Sequence, residues 1–174
     1  MLRLILFRHA KADRPADLVD HERPLSISGR KQAQKMGEYI GAHQLIPDLV
    51  IVSSAKRTQE TWAQARSAGR LDTAHITEPR IYESSLDNLL EVIRQQDAKH
   101  ASIMLVGHNP GMERLTTWLA GACPEKALKR LEQGFVVGGL AVIDIPVEHW
   151  SVLDAQSGRL ERFETPDTVQ TLSH

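Results

Sequence analysis

The sequence predicts an α/β fold, a three-layer α/β/α sandwich with a mostly parallel central sheet. Three short apolar runs rich in branched residues, LRLILF (2–7), DLVIVS (48–53) and SIMLVG (102–107), each end in turn or polar chemistry, as buried strands do. Helical patterns lie between them. Strands that alternate with helices imply a mostly parallel sheet covered on both faces, because parallel neighbours need crossover connections.

In chain order, the first strand at 2–7 runs into Arg8 and His9. In SGRKQAQKMGEYIGAH (28–43), Ala33, Met36, Ile40 and His43 recur at three- and four-residue steps behind Ser28 as the expected cap, which describes an amphipathic helix. The second strand leads through SSAKRT into a helix with Arg57 in its first turn. Leu86, Leu89, Leu90 and Ile93 make another apolar stripe capped by Ser84 or Ser85, and Met112, Leu115, Trp118 and Leu119 make a third after Pro110. All these stripes read as core packing. Two weaker runs, GLAVIDI (139–145) and HWSVLD (149–154), are expected to pair as a hairpin around Pro146. The polar ending TPDTVQTLSH (165–174) reads as a frayed tail, which leaves a single domain over 1–164.

Composition narrows the function classes. With 174 residues, 41% hydrophobic and 25% charged, the chain suits one globular domain with a real core. Twenty-one Lys+Arg against 22 Asp+Glu give a formal charge of -1, so no basic field for nucleic acid exists and any anion site is local. Cys123 is the single cysteine, which excludes an internal disulfide and a multi-cysteine zinc site. No segment reaches the roughly 18 apolar residues of a membrane helix, and Leu2 to Phe7 is too short for a secretory signal. A cytoplasmic protein without a membrane partner is expected.

In open α/β sheets the ligand site lies beyond the carboxyl ends of the strands. The three strong runs end in RHA, SSAKRT and GHNPG, so Arg8, His9, Arg57 and His108 are expected at one sheet edge despite their separation along the chain. Such a cluster is an anion site suited to phosphoryl transfer. Arginine forks donate to phosphate oxygens bidentately and keep their charge. Ser53 or Ser54, and GHNPG, each ahead of a helix, add backbone N–H groups and positive helix ends. A neutral imidazole can attack phosphorus and hold the phosphoryl group transiently, splitting one hard displacement into two easier ones. His9 is the expected nucleophile, with neighbouring arginines disfavouring its protonated form, and His108 is the expected hydrogen-bond donor to the transferring oxygens. Each residue alone also has an ordinary reading, as a structural histidine or a solvated arginine. The arrangement across three strand ends favours the chemical one.

The runs LILFRHAKA, HERPLSISGRKQA, SSAKRTQET, IYESS and LVGHNPGMERL, in this order from about Leu2 to Leu119, closely resemble the histidine phosphatase superfamily in its short branch of SixA-type phosphohistidine phosphatases. The resemblance implies a phosphoglycerate mutase-like sandwich, a phosphohistidine intermediate on His9, and a phosphate pocket at Arg8, Arg57 and His108. Arg23 matches the arginine of the family's R-P-L-[ST]-x-x-G block, and reads equally as a surface residue that anchors the loop beside Pro24. Ala10 stands where the superfamily often has glycine, a departure that marks the branch and narrows the backbone room. Larger relatives such as the phosphoglycerate mutases carry a glutamate acid and extra helical elements between the second arginine and second histidine. Positions 57–108 leave no room for a large insert of that kind, so an open pocket is expected. Glu83 in IYESS is the candidate acid, or else a helix-terminus partner.

An open pocket with an unassigned acid favours a phosphoramidate, whose P–N bond breaks readily once its nitrogen is protonated. The expected partner is therefore a phosphorylated protein that donates phosphohistidine, with a small phosphate ester as the alternative. A metallohydrolase using His9 and His108 as ligands lacks an H-E-x-x-H or acidic cluster and sets arginines beside the cation. A phosphate-binding module without turnover needs only Arg8, Arg57 and His108, and stays open. Neither G-x-G-x-x-G nor a Walker pattern follows any strand, so no nucleotide cofactor is expected, and the arginines and histidine supply the charge a metal would.

Overall fold

A computed structural model describes residues 1–169. Its strands are β1 (Leu2–Arg8), β2 (Leu49–Val52), β3 (His75–Thr77), β4 (Ser102–Gly107), β5 (Ala120–Ala122), β6 (Leu140–Ile145) and β7 (Gly158–Glu164). Its helices are α1 (Ile27–Ala42), α2 (Lys56–Gly69), α3 (Leu86–Arg94), α4 (Gly111–Leu119) and α5 (Glu125–Glu132). The strands form one sheet in the order β3-β2-β4-β1-β6-β7-β5, in which β6 alone runs against the rest. The fold is the expected α/β sandwich.

The three strong runs are apolar at nearly every position because both of their faces are covered. Leu4 and Leu6 of β1, Ile51 of β2 and Ile103 and Leu105 of β4 share one buried cluster with Leu89, Ile93 and Leu115 of α3 and α4. Ile5, Phe7, Val50, Val52, Met104 and Val106 point the other way, into a cluster with Met36 and Ile40 of α1 and Trp62 of α2. Strand alternation thus sorts one continuous apolar run into two cores.

Crossover direction locates the edge that matters. From β1 the chain passes through α1 to β2 on one side, whereas from β4 it passes through α4 to β5 on the other side of β1. The carboxyl ends of β1 and β4, which pair in parallel with Arg8 opposite Gly107, therefore flank a topological switch point.

Several expectations need correction. HWSVLD (149–154) is not a strand: Trp150–Val152 forms a 3-10 turn, with the Trp150 ring fully buried and its Nε1 donating to the His100 carbonyl at 2.8 Å. No hairpin forms around Pro146, since β6 pairs antiparallel with β7 instead. A register shift at Val142/Ile143 offsets β7, so its buried Leu160 and Phe163 are three apart and break the period-two signal. α1 is capped by Ser26, not Ser28, through Oγ accepting from the Gly29 N–H at 3.0 Å. His43 lies past the end of α1 and is exposed. α3 is capped by Ser85, one of the two expected serines. The expected frayed tail is packed over its first half: Thr168 Oγ1 accepts from the Thr165 N–H and Val169 joins the core of α1 and α2, while the remainder, 170–174, lies outside the described residues. Among the described residues no helix is long and apolar enough to cross a membrane.

Candidate active site

A cleft of about 660 Å³ opens at the switch point, lined by Arg8, His9, Arg23, Arg57, Glu83 and His108 among others. All six residues singled out from the sequence thus reach one cavity. β1 delivers Arg8 and His9, β4 delivers His108, and Arg57 comes from the first turn of α2, whose N-terminus adds positive potential.

His9 is held in one orientation. It is 8% exposed, and its Nδ1 lies 2.8 Å from the Ala10 carbonyl, so Nδ1–H donates there and Nε2 keeps a free lone pair. The Ala10 N–H donates in turn to Thr61 Oγ1 at 3.0 Å, and that hydroxyl donates to the Arg57 carbonyl at 2.7 Å. Ala10 packs with Leu25 and Ala33 in a small buried cluster, so its methyl group joins the loop packing and does not line the cleft. Burial, with help from Arg57, Arg8 and Arg23, pushes the His9 pKa down to about 4 against its bond to Ala10. Burial, His9 and Arg57 push His108 down to about 3. The two rings lie 5.3 Å apart, and both are neutral at ordinary pH.

The arginines are anchored through their guanidinium groups, Arg8 by one nitrogen and Arg57 and Arg23 by two each. Arg8 donates to the Phe135 carbonyl at 2.8 Å, and Asn109 Nδ2 shares that acceptor, which ties the loop ahead of β6 to the site. Arg57 donates to the Asp20 carbonyl at 2.8 Å and to its carboxylate at 3.1 Å. Arg23 donates from Nε to the Asp13 carbonyl at 3.0 Å, which anchors the loop, and from its fork to the Asp20 carboxylate at 3.0 Å, and it lines the cleft. Glu83 is exposed on the rim, with the positive backbone angle φ of 47° that begins the turn into α3.

Asp20 and Tyr82 were not anticipated. The Tyr82 hydroxyl donates to Asp20, and that bond, with those from Arg23 and Arg57, holds the Asp20 carboxyl far below the usual carboxylate range. Tyr82 also stands edge-on to the His108 ring at 5.5 Å. Tyr82 sits in IYESS beside Glu83, and Asp20 lies three residues before Arg23, but neither position carries a periodic or motif signal of its own.

What remains unpaired is informative. Among the described residues, four buried side-chain polar atoms lack a protein partner, and three are Arg8 Nε, Arg57 Nε and His108 Nδ1. Buried polar atoms normally find partners, and an anion bound among these side chains can supply acceptors for the two arginine donors. No group of His, Cys, Asp and Glu suited to a metal ion occurs among the described residues.

Comparison with known proteins identifies the lineage. The model of the histidine phosphatase superfamily (branch 1) matches residues 4–132. The chain belongs to this superfamily. An uncharacterized protein of Mycobacterium tuberculosis is 27% identical over 161 residues, spanning 91% of this chain and 99% of the relative. The crystal structure of a candidate phosphohistidine phosphatase, SixA, from Agrobacterium tumefaciens superposes with a TM-score of 0.78 at 29% identity, over 95% of this chain and 98% of that one. The protein histidine phosphatase SixA in complex with tungstate has the same fold, with a TM-score of 0.77 at 18% identity over 97% of this chain and 100% of that one. The superfamily fold, of the SixA type, accounts for the sandwich and for the single antiparallel strand beside β1.

Proposed function

We propose that this protein is a metal-independent phosphohistidine phosphatase that works through a phosphorylated His9. The observation that carries the reading is the grouping of Arg8, Arg57 and His108, each with a buried polar atom (Nε, Nε and Nδ1) that has no protein partner, around the cleft that holds His9 with its Nε2 lone pair free. In the first step Nε2 of His9 attacks phosphorus, the donor's P–N bond breaks, and the departing imidazole nitrogen takes a proton from Glu83 or water. In the second step water attacks the phosphoryl group on His9, and phosphate leaves. The water's proton passes to Glu83 or solvent, and Nε2 regains its lone pair. The arginines and His108 neutralise charge on the equatorial oxygens in both steps.

Three features support phosphohistidine over a small ester. The likeness to a SixA-type structure extends over nearly the whole chain. Glu83, the available acid, is an exposed rim residue, which suits a leaving group that needs little help. The rim also carries Lys11, Arg14 and Arg114, whose charge suits the surface of a phosphorylated protein. The test is to mix the protein with a phosphohistidine-bearing protein labelled on phosphorus and quench within one turnover. Acid-labile label on His9 is expected. Label that stays on the donor while the two proteins bind would instead make this a phosphate-binding module.

A further inference from the structure

Ser53 follows β2 and is fully buried. Its hydroxyl oxygen accepts from the Ala55 N–H at 3.3 Å and lies 2.8 Å from Nε2 of His108. The opposite ring nitrogen, Nδ1, is buried and has no protein partner. We infer that Ser53 is a positioning residue that donates its proton to His108 Nε2, fixes the ring as the Nδ1–H tautomer, and thereby makes Nδ1 a donor to the transferring phosphoryl oxygens.

Two separate balances lead to the same tautomer. If Nε2 carried the hydrogen, the buried Ser53 hydroxyl proton would have no acceptor among its partners, and an unsatisfied buried donor is costly. Nδ1 would then also turn a lone pair towards an anion. Both faults disappear when Ser53 donates. His9 holds the same tautomer with its two nitrogens in exchanged roles: its Nδ1–H is bonded to Ala10 O and its Nε2 is bare. Two neutral rings 5.3 Å apart are thus fixed in the same Nδ1–H tautomer but leave opposite nitrogens without a protein partner, bare Nε2 of His9 as nucleophile and Nδ1–H of His108 as donor. Without Ser53, nothing else in contact with Nε2 of His108 would choose between its tautomers.

The inference rests on reading His108 as a contact of the phosphoryl group, and its test can be scored apart from that reading. Ring nitrogens of ¹⁵N-histidine-labelled protein are recorded by NMR near neutral pH, alone and with inorganic phosphate. The wild type is expected to show His108 protonated at Nδ1 and bare at Nε2, with Nδ1 moving on addition of phosphate. In Ser53→Ala the ring is expected to populate the Nε2–H form, with kcat on the phosphohistidine protein falling by about 10²-fold, the usual effect of losing one preorganised donor. Ser53→Thr, which keeps the hydroxyl, restores both. A wild-type ring protonated at Nε2 overturns the assignment, as does a Ser53→Ala protein with unchanged tautomer and turnover. If Ser53→Ala does not fold, the wild-type spectrum decides alone. Absent turnover in a wild type with the expected tautomer counts against the phosphatase reading only.

Discussion

The chemistry at the sheet edge depends on two histidines being neutral in a field of arginines. His9 falls from 6.5 to about 4 chiefly because burial penalises its charged form, so in an NMR pH titration its ring should begin to protonate only below about pH 5. A midpoint near 6.5 would mean a solvated ring and would remove the basis for a standing nucleophile. The same shift sets a stability slope. Between about pH 6.5 and 4 the unfolded chain takes up a proton at this position and the native state does not, so stability falls as pH drops through that window, by roughly 3 kcal/mol for a shift of this size. Urea melts across the window check it, and His9→Asn should reduce the slope to the part that His108, depressed to about 3, sets over the same range. Glu83→Gln is expected to slow hydrolysis of an alkyl phosphate ester at least tenfold more than that of phosphohistidine, because only the ester needs a strong acid; equal effects on the two would deny Glu83 that role. His9, Arg8, Arg57 and His108 were legible because each ends or immediately follows a strand or opens a helix, so the fold rule alone brings them to one edge. Asp20 and Tyr82 were not, since they sit in and just past short 3-10 turns, Asp20–Glu22 and Pro79–Ile81, whose path no periodicity encodes.

At the level of elements, the strands that read clearly were those buried on both faces, where nearly every residue is apolar. β7 was missed because its bulge disturbs the alternation and its charged residues Arg159 and Glu161 lie on the exposed side of an outer strand. α5 was missed because it buries only Ala127. Close packing of α1 on α2 is a property of small residues that no hydrophobic stripe reveals. A Cβ on Gly37 would sit 2.2 Å from the Ala65 carbonyl oxygen, and one on Gly69 would sit 2.2 Å from the Gly37 carbonyl oxygen. Gly37→Ala should therefore destabilise the protein by about 1–3 kcal/mol through forced separation of the helices. Helix propensity alone predicts the opposite, a gain of up to about 1 kcal/mol. A lower urea midpoint supports the packing, and a higher one contradicts it.

Over the whole molecule, a chain of formal charge -1 concentrates six cationic side chains around one cleft, Arg8, Lys11, Arg14, Arg23, Arg57 and Arg114, against only Asp20 and Glu83. In the proposed function the local field, not net charge, attracts the substrate. Association with a phosphorylated protein should consequently weaken with salt, as the screening length shrinks from about 10 Å at 0.1 M to about 3 Å at 1 M, while kcat stays constant. A salt-independent KM would show that the rim cations do not meet the partner. The central claim is turnover through His9, and it is tested most directly by following phosphate release from a phosphohistidine-bearing protein, in chelator, by wild type and by folded His9→Ala. The wild type is expected to release many equivalents per molecule and His9→Ala at least roughly 10³-fold fewer. Comparable release by the two proteins, or none by the wild type, would contradict it.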